Sequence, residues 1–196
     1  MRKKNLLKKI SAELESRLSN NYKKVRVFCQ DESRFGLMPI KRKSITNKGV
    51  KPIGRCNFNR ESFWIYGATD IISGESIYWD FETMSQYNFD NFIKDLSETY
   101  SDSLNIILID NSRIHNLSED IQNISFINIP PYNPELNPQE NVWRFFKKDM
   151  GYLVFEQIED MRKFVYRKIA KASKKILKPV VSYPYIIEAL KQLGLI

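Results

Sequence analysis

The chain has 196 residues and a mass of 23.2 kDa, which fits one domain with a terminal appendage. A hydrophobic content of 42% with 13% aromatics can bury a core, which excludes a disordered or low-complexity polymer. The net charge of +8 favours a polyanionic partner such as nucleic acid, although a basic surface that serves only solubility fits the same number.

The opening stretch MRKKNLLKKISAELESRL is basic like the start of a signal peptide, but charges interrupt the apolar run that export requires. No apolar run approaches the ~18 residues of a membrane span, so no membrane partner is expected and the default location is cytoplasmic. Leu6, Leu7, Ile10, Leu14 and Leu18 stand at helical spacing, which makes residues 1–20 a leading amphipathic helix or linker. Residues 25–29 (VRVFC) read as a strand running into Asp31 and Glu32, and residues 33–40 as a second strand. Between 41 and 60 lie Lys41, Arg42, Lys43, Lys48, Lys51, Arg55 and Arg60 with no acid among them, a basic loop. Residues 62–69 and 76–81 form strands around Ser73-Gly74, a hairpin signal. Residues 85–100 form a helix with one apolar face, and NIILI at 105–109 is a buried central strand ending at Asp110. Another strand, 124–129, stops at Pro130-Pro131. Asn137 as N-cap and Pro138 at the first helical position open a helix to about Met150. A last long helix carries Phe155 to Ile176 and ends near Pro179, and residues 186–193 add a short one. The fold class is therefore mixed α/β, divided into the leading helix (1–20), a main domain (21–178) and a helical tail (179–196).

Two cysteines, Cys29 and Cys56, and one histidine, His115, exclude a disulfide framework, a four-thiolate zinc site and His-rich metal chemistry. Three acids are better placed for chemistry. Asp31 and Asp110 each follow a strand, where side chains of α/β sheets meet solvent, and Glu140 sits in the first turn of a helix. Together they would make an all-oxygen cluster suited to Mg²⁺ or Mn²⁺, and two such ions support in-line phosphoryl displacement. Structural alternatives exist: acids after strands are common in turns, Asp110-Asn111-Ser112 is also an Asx-turn signal, and Glu140, three residues after Asn137, would also complete a capping box.

The strings around these acids narrow the choice. QDESRFG at 30–36, IDNSRIH at 109–115 and PPYNPELNPQENVW at 130–143 resemble the three catalytic blocks of DDE-superfamily transposases, nearest to the mariner-related bacterial insertion-sequence group. KGVKPIG at 48–54 and YGATDIISGES at 66–76 resemble that family's basic hairpin and following strand, so the likeness covers roughly residues 25–170. It implies an RNase H-like fold, with Asp31, Asp110 and Glu140 as catalytic acids holding two Mg²⁺ (or Mn²⁺) ions. It also implies hydrolysis at transposon ends followed by strand transfer into target DNA. Double-stranded DNA would be the partner, bound by a homodimer in the bacterial cytoplasm at the nucleoid. His115 matches the family's DNxxxH pattern and would contact the scissile phosphate, orient a carboxylate, or serve as a structural hydrogen-bonder.

Several features depart from that pattern. Only 29 residues separate Asp110 from Glu140, fewer than is usual in the family. Glu135 competes for the third role but lies between Pro134 and Pro138, where the chain is extended. Glu32 should face away from Asp31 on an extended strand and is not expected to be a ligand. Trp143 and Phe146 read as core. The loop cations named above, with His115, are the candidate DNA contacts, and Arg162, Arg167, Lys168, Lys171, Lys174 and Lys175 make one side of the last helix basic. The roughly twenty residues before the first strand are too few for a helix-turn-helix, so this polypeptide is not expected to recognise the ends alone. It would be the second frame of a split gene, with a separately encoded helix-turn-helix chain, or a truncated copy. The alternatives are a catalytically silent fragment that binds DNA or a partner, and a stand-alone RNase H-like nuclease.

Overall fold

Period-two and wholly apolar segments become a five-stranded sheet in the computed structural model, which describes residues 24–40, 45–131, 134–151, 153–192 and Gly194, with Lys8 and Ala12 as helical positions of the leading segment. The rest of the expected leading helix, and Lys41, Arg42 and Lys43, lie outside the described residues.

In chain order the elements are β1 (Lys24–Gly36), β2 (Ser62–Asp70), β3 (Ser76–Phe81), α1 (Gln86–Thr99), β4 (Ser103–Ile109), β5 (Ile124–Asn128), α2 (Gln139–Lys147), α3 (Ile158–Lys171), α4 (Lys174–Val181) and α5 (Pro184–Gln192). The strand order is β3-β2-β1-β4-β5. β1 is antiparallel to β2 and parallel to β4, and β4 is parallel to β5. Every residue of β4 is buried, as expected of an apolar run covered on both faces.

Two layers of helix supply that cover. On one face Val27, Cys29, Phe35 and Ile106 pack with Val142, Trp143 and Phe146 of α2 and with Met161, Val165, Leu177 and Ile186 of the three later helices. On the other, Phe28, Tyr66 and Ile107 pack with Phe89, Phe92, Ile93 and Leu96 of α1. Ser85 caps α1, its side chain accepting from Asn88 N at 3.2 Å.

Two expectations need correction. The two strands expected over 25–40 are one. β1 pairs with β4 as far as Cys29, and its pairing with β2 carries it on through Ser33–Gly36. The single last helix is two, because the backbone leaves the helical region at Ala172 (ψ 75°) and restarts beyond Ser173, whose carbonyl accepts from Ile176 and Leu177. Pro179 therefore sits inside α4 rather than after it. Gly74 (φ +80°) lets the β2–β3 hairpin press against α4, where a Cβ would run into the Lys174 carbonyl.

Candidate active site

The parallel register of β1 on β4 runs from Lys24↔Ser103 to Cys29↔Leu108. That ladder stops two residues short of both Asp31, which β1 carries on, and Asp110, which lies just past the end of β4. The pleat then sends Asp31 toward α2 and Glu32 to the opposite face. Asp31 Oδ2 accepts from the indole Nε1 of Trp143 at 2.9 Å. Directly across the β1–β2 ladder from Asp31 is Gly67, where a Cβ would lie 2.6 Å from the Trp143 ring and 2.8 Å from Tyr78. The bare backbone at Gly67 is what lets the indole reach the acid.

α2 brings the third acid. Its N-terminus is capped by Asn137, whose Oδ1 accepts from Gln139 N at 3.1 Å while its Nδ2 donates to the Gln30 carbonyl at 2.8 Å. The PPYNPELNPQENVW block is thereby tied to β1 one residue before Asp31. Glu140 lines a cavity of about 700 Å³ together with Asp31, Trp143, Arg144, Lys147 and Lys148. Burial, then the charges of Glu32 and Glu140, push the Asp31 carboxyl up to about 8, against the Trp143 hydrogen bond. Lys147 donates to Ser33 Oγ at 2.7 Å and lies over the Phe35 ring. Burial lowers its ammonium from the ordinary lysine value, against the pull of Glu140 and Asp31.

Asp110 faces elsewhere. It is exposed and borders a different cavity, of about 770 Å³, with Asn111, Arg113, His115 and Asn128. Its Oδ1 lies 2.8 Å from His115 Nδ1 and accepts from Ser112 N at 2.9 Å. The His115 bond, opposed by burial, holds its carboxyl below the usual range. His115 Nε2 in turn lies 3.1 Å from Glu32 Oε1. Burial opposes charge on this imidazole, yet the bonds to Asp110 and Glu32 prevail and push it up to about 10. Of the three expected acids, Asp31 and Glu140 therefore share one cavity and Asp110 borders another. Among the described residues no three His, Cys, Asp or Glu side chains form a ready metal cluster.

The model of the DDE superfamily endonuclease family matches residues 26–162. The chain belongs to that family. No curated protein sequence matches it. Its fold is shared with solved Mos1 structures. The Mos1 strand transfer complex superimposes with a TM-score of 0.66 at 16% identity, over 92% of this chain and 56% of that one. The pre-cleavage Mos1 transpososome gives 0.66 at 15%, over 98% and 62%. The Mos1 mariner paired end complex with Mn gives 0.64 at 16%, over 92% and 57%. The chain thus spans less than two thirds of the Mos1 chains it matches, and its mixed sheet with helices on both faces is RNase H-like.

In this DDE superfamily endonuclease the loop cations Lys48, Lys51, Arg55 and Arg60 are exposed on an irregular connection between β1 and β2. The basic side expected on the last helix is partly consumed by the fold. Arg162 pairs with Asp80 and Glu82 and lies over the Phe63 ring, Lys168 pairs with Asp149, and Lys174 with Glu75. Arg167, Lys171 and Lys175 are exposed. Glu135 is exposed on a single helical turn ahead of α2.

Sequence reasoning placed Phe146 correctly in the core, but it missed that the indole of Trp143, itself core, donates to Asp31. It also missed Gly67, Lys147 and the pairing of Glu32 with His115. The one signal for these was Glu32 itself, an acid on the face of a central strand that must be covered. Among the described residues no helix is long and apolar enough to cross a membrane.

Proposed function

We propose that this chain is the catalytic domain of a DNA transposase, in which Asp31, Asp110 and Glu140 bind divalent cations and cut phosphodiesters at transposon ends. The observation that carries the reading is the shared cavity of Asp31 and Glu140. The donor set fits Mg²⁺ or Mn²⁺, being all carboxylate oxygen. Asp31 is also crowded by two other acids, Glu32 and Glu140, a concentration of negative charge that a cation relieves. Asp31 and Glu140 would hold the cation from the α2 face, and Asp110 would join through Oδ2, the oxygen that His115 and Ser112 leave clear. When bound, a pair of such ions supplies activation of the attacking oxygen and stabilisation of the leaving one.

The chain's own residues do the rest. Trp143 fixes Asp31, Asn137 fixes the start of α2, and the cations Arg144, Lys147 and Lys148 on the cavity wall attract the phosphates of the duplex. The exposed loop cations Lys48, Lys51, Arg55 and Arg60 extend that attraction along the DNA, with Lys41, Arg42 and Lys43 assigned to the same loop from sequence alone. Strand transfer, a homodimer on paired ends, a separately encoded helix-turn-helix chain and action at a bacterial nucleoid belong to the same reading. So does the division into a domain over 21–178 with terminal appendages.

Purified chain given Mn²⁺ and a duplex carrying the element's ends should nick it. Asp31→Asn, Asp110→Asn and Glu140→Gln should each abolish nicking while the circular dichroism stays native, and full cleavage by any one removes that acid from the mechanism. A second reading, a silent DNA-binding domain, is favoured by Asp110 lining a different cavity from Asp31 and Glu140. Failure of the unaltered chain to nick, with DNA binding retained, would decide for it.

A further inference from the structure

We propose that Glu32, acting through His115, is a positioning residue that orients Asp110 for cation binding; the inference rests on the cation-site reading above. The Glu32 side chain is only 6% exposed, and a buried carboxylate needs donors. It has Gln30 Nε2 at 2.8 Å and His115 Nε2 at 3.1 Å. The imidazole is equally confined: 4% exposed, against the Phe89 ring of α1 with centroids 4.7 Å apart. Its Nδ1 meets Asp110 Oδ1 at 2.8 Å and the Asp110 carbonyl at 3.3 Å.

Nδ1 faces the carboxylate and the carbonyl of Asp110 and Nε2 faces the Glu32 carboxyl, so the ring bridges the two acids. Asp110 stands past the last residue of β4, where no ladder orders it. The His115 bond and the Ser112 amide both fall on Oδ1, which fixes the plane of the carboxylate and leaves Oδ2 for a cation. Asp31 is treated the same way, with one oxygen held by the Trp143 ring N–H. Partners of this kind behind a metal ligand typically change affinity about 10–100-fold when removed. The alternation of β1 explains why the two acids are adjacent in sequence: one of the pair supplies a ligand on one face, and the other orients a ligand from the opposite face.

The test uses the intact chain and Mn²⁺ alone, titrated by calorimetry. Glu32→Gln and His115→Gln should each weaken Mn²⁺ binding about 10-fold or more, and the double variant should be no weaker than the poorer single one. In the metal-free protein the nitrogen-15 ring signals of the sole histidine should move in Glu32→Gln. A role in stability alone would lower the melting temperature and leave the Mn²⁺ Kd in place. Unchanged Kd in Glu32→Gln, or losses that add in the double variant, overturns the inference. Should Glu32→Gln not fold, unchanged Kd in His115→Gln overturns it equally. No Mn²⁺ binding by the unaltered chain overturns the cation-site reading itself and this inference with it, an outcome distinct from a variant that binds normally.

Discussion

Gly67 stands directly opposite Asp31 on the β1–β2 ladder, and the space left by its missing side chain is filled by the Trp143 ring that donates to Asp31. A Cβ there would lie 2.6 Å from the indole and 2.8 Å from the Tyr78 ring, with both rings held in the core. Gly67→Ala should therefore cost about 1–3 kcal/mol of stability by overpacking. It should also displace Trp143 and lower nicking more than the melting temperature predicts. Thermal melts alongside Mn²⁺-dependent nicking check both halves.

Trp143→Phe keeps most of the apolar packing and deletes the indole N–H. The Asp31 carboxyl, pushed up to about 8, is mostly protonated at neutral pH, so the bond contributes the neutral amount of about 0.5–1.5 kcal/mol. For a chain of this size each kcal/mol moves Tm by about 2–4 °C. Denaturant melts should show that loss, and the Mn²⁺ Kd should rise because Asp31 is no longer held.

Asn137→Ala removes both a cap on α2 and the bond from that cap to the Gln30 carbonyl. Its side chain is buried, so both partners are left unsatisfied, and the loss should be about 1–3 kcal/mol. Glu140→Gln, by contrast, leaves the Asn137 cap intact and should stay within about 0.5 kcal/mol of the parent. Gln preserves much of a capping hydrogen bond, so a purely structural role for Glu140 predicts that nicking survives Glu140→Gln, whereas a metal-binding role predicts its loss.

The acid limb of stability has a source remote from the site. Hydrogen bonding from Arg26, opposed by burial and aided by the charges of Arg26, Lys174 and Lys24, holds the Glu75 carboxyl below its ordinary value of 4.5. A depressed folded value means stability that is complete above about pH 4.5 and is lost as the pH falls through the folded value. Glu75→Gln should flatten that part of a Tm-against-pH curve and lower Tm at neutral pH, where the contribution is complete, with the gap to the parent closing as the pH falls.

If the β1–β2 connection lies along a duplex, Lys48→Ala, Lys51→Ala and Arg55→Ala should each reduce the slope of log K against log salt by about 0.9 for every phosphate the loop no longer neutralises. Filter binding at a series of salt concentrations measures it, and an unaltered slope in the triple variant would exclude this loop from the DNA interface.

Much of the fold was legible because local rules suffice for it. NIILI can only be a strand covered on both faces, and Ser85 begins a helix with one apolar side. The boundaries failed where pairing partners decide. Ser33–Gly36 stays in β1 because β2 lies beside it, and no local signal separated α3 from α4. Asp110 past the end of β4 and Glu140 in the first turn of its helix were legible in place, whereas Asp31, expected to follow a strand, stands inside β1 because β2 carries that strand on beside it.

The amino-acid order alone determined most of the elements and the motifs that mark the family, since each depends on neighbours within a few residues. Tertiary packing alone decided which group holds each acid. Asp31 is held by Trp143 from 112 positions away, and Glu32 meets His115 across 83. Such distances are closed only when helices dock on both faces of the sheet. Which side chain then fills the space at Gly67, or neutralises Glu32, depends on shape and charge in three dimensions and leaves no periodic trace along the chain.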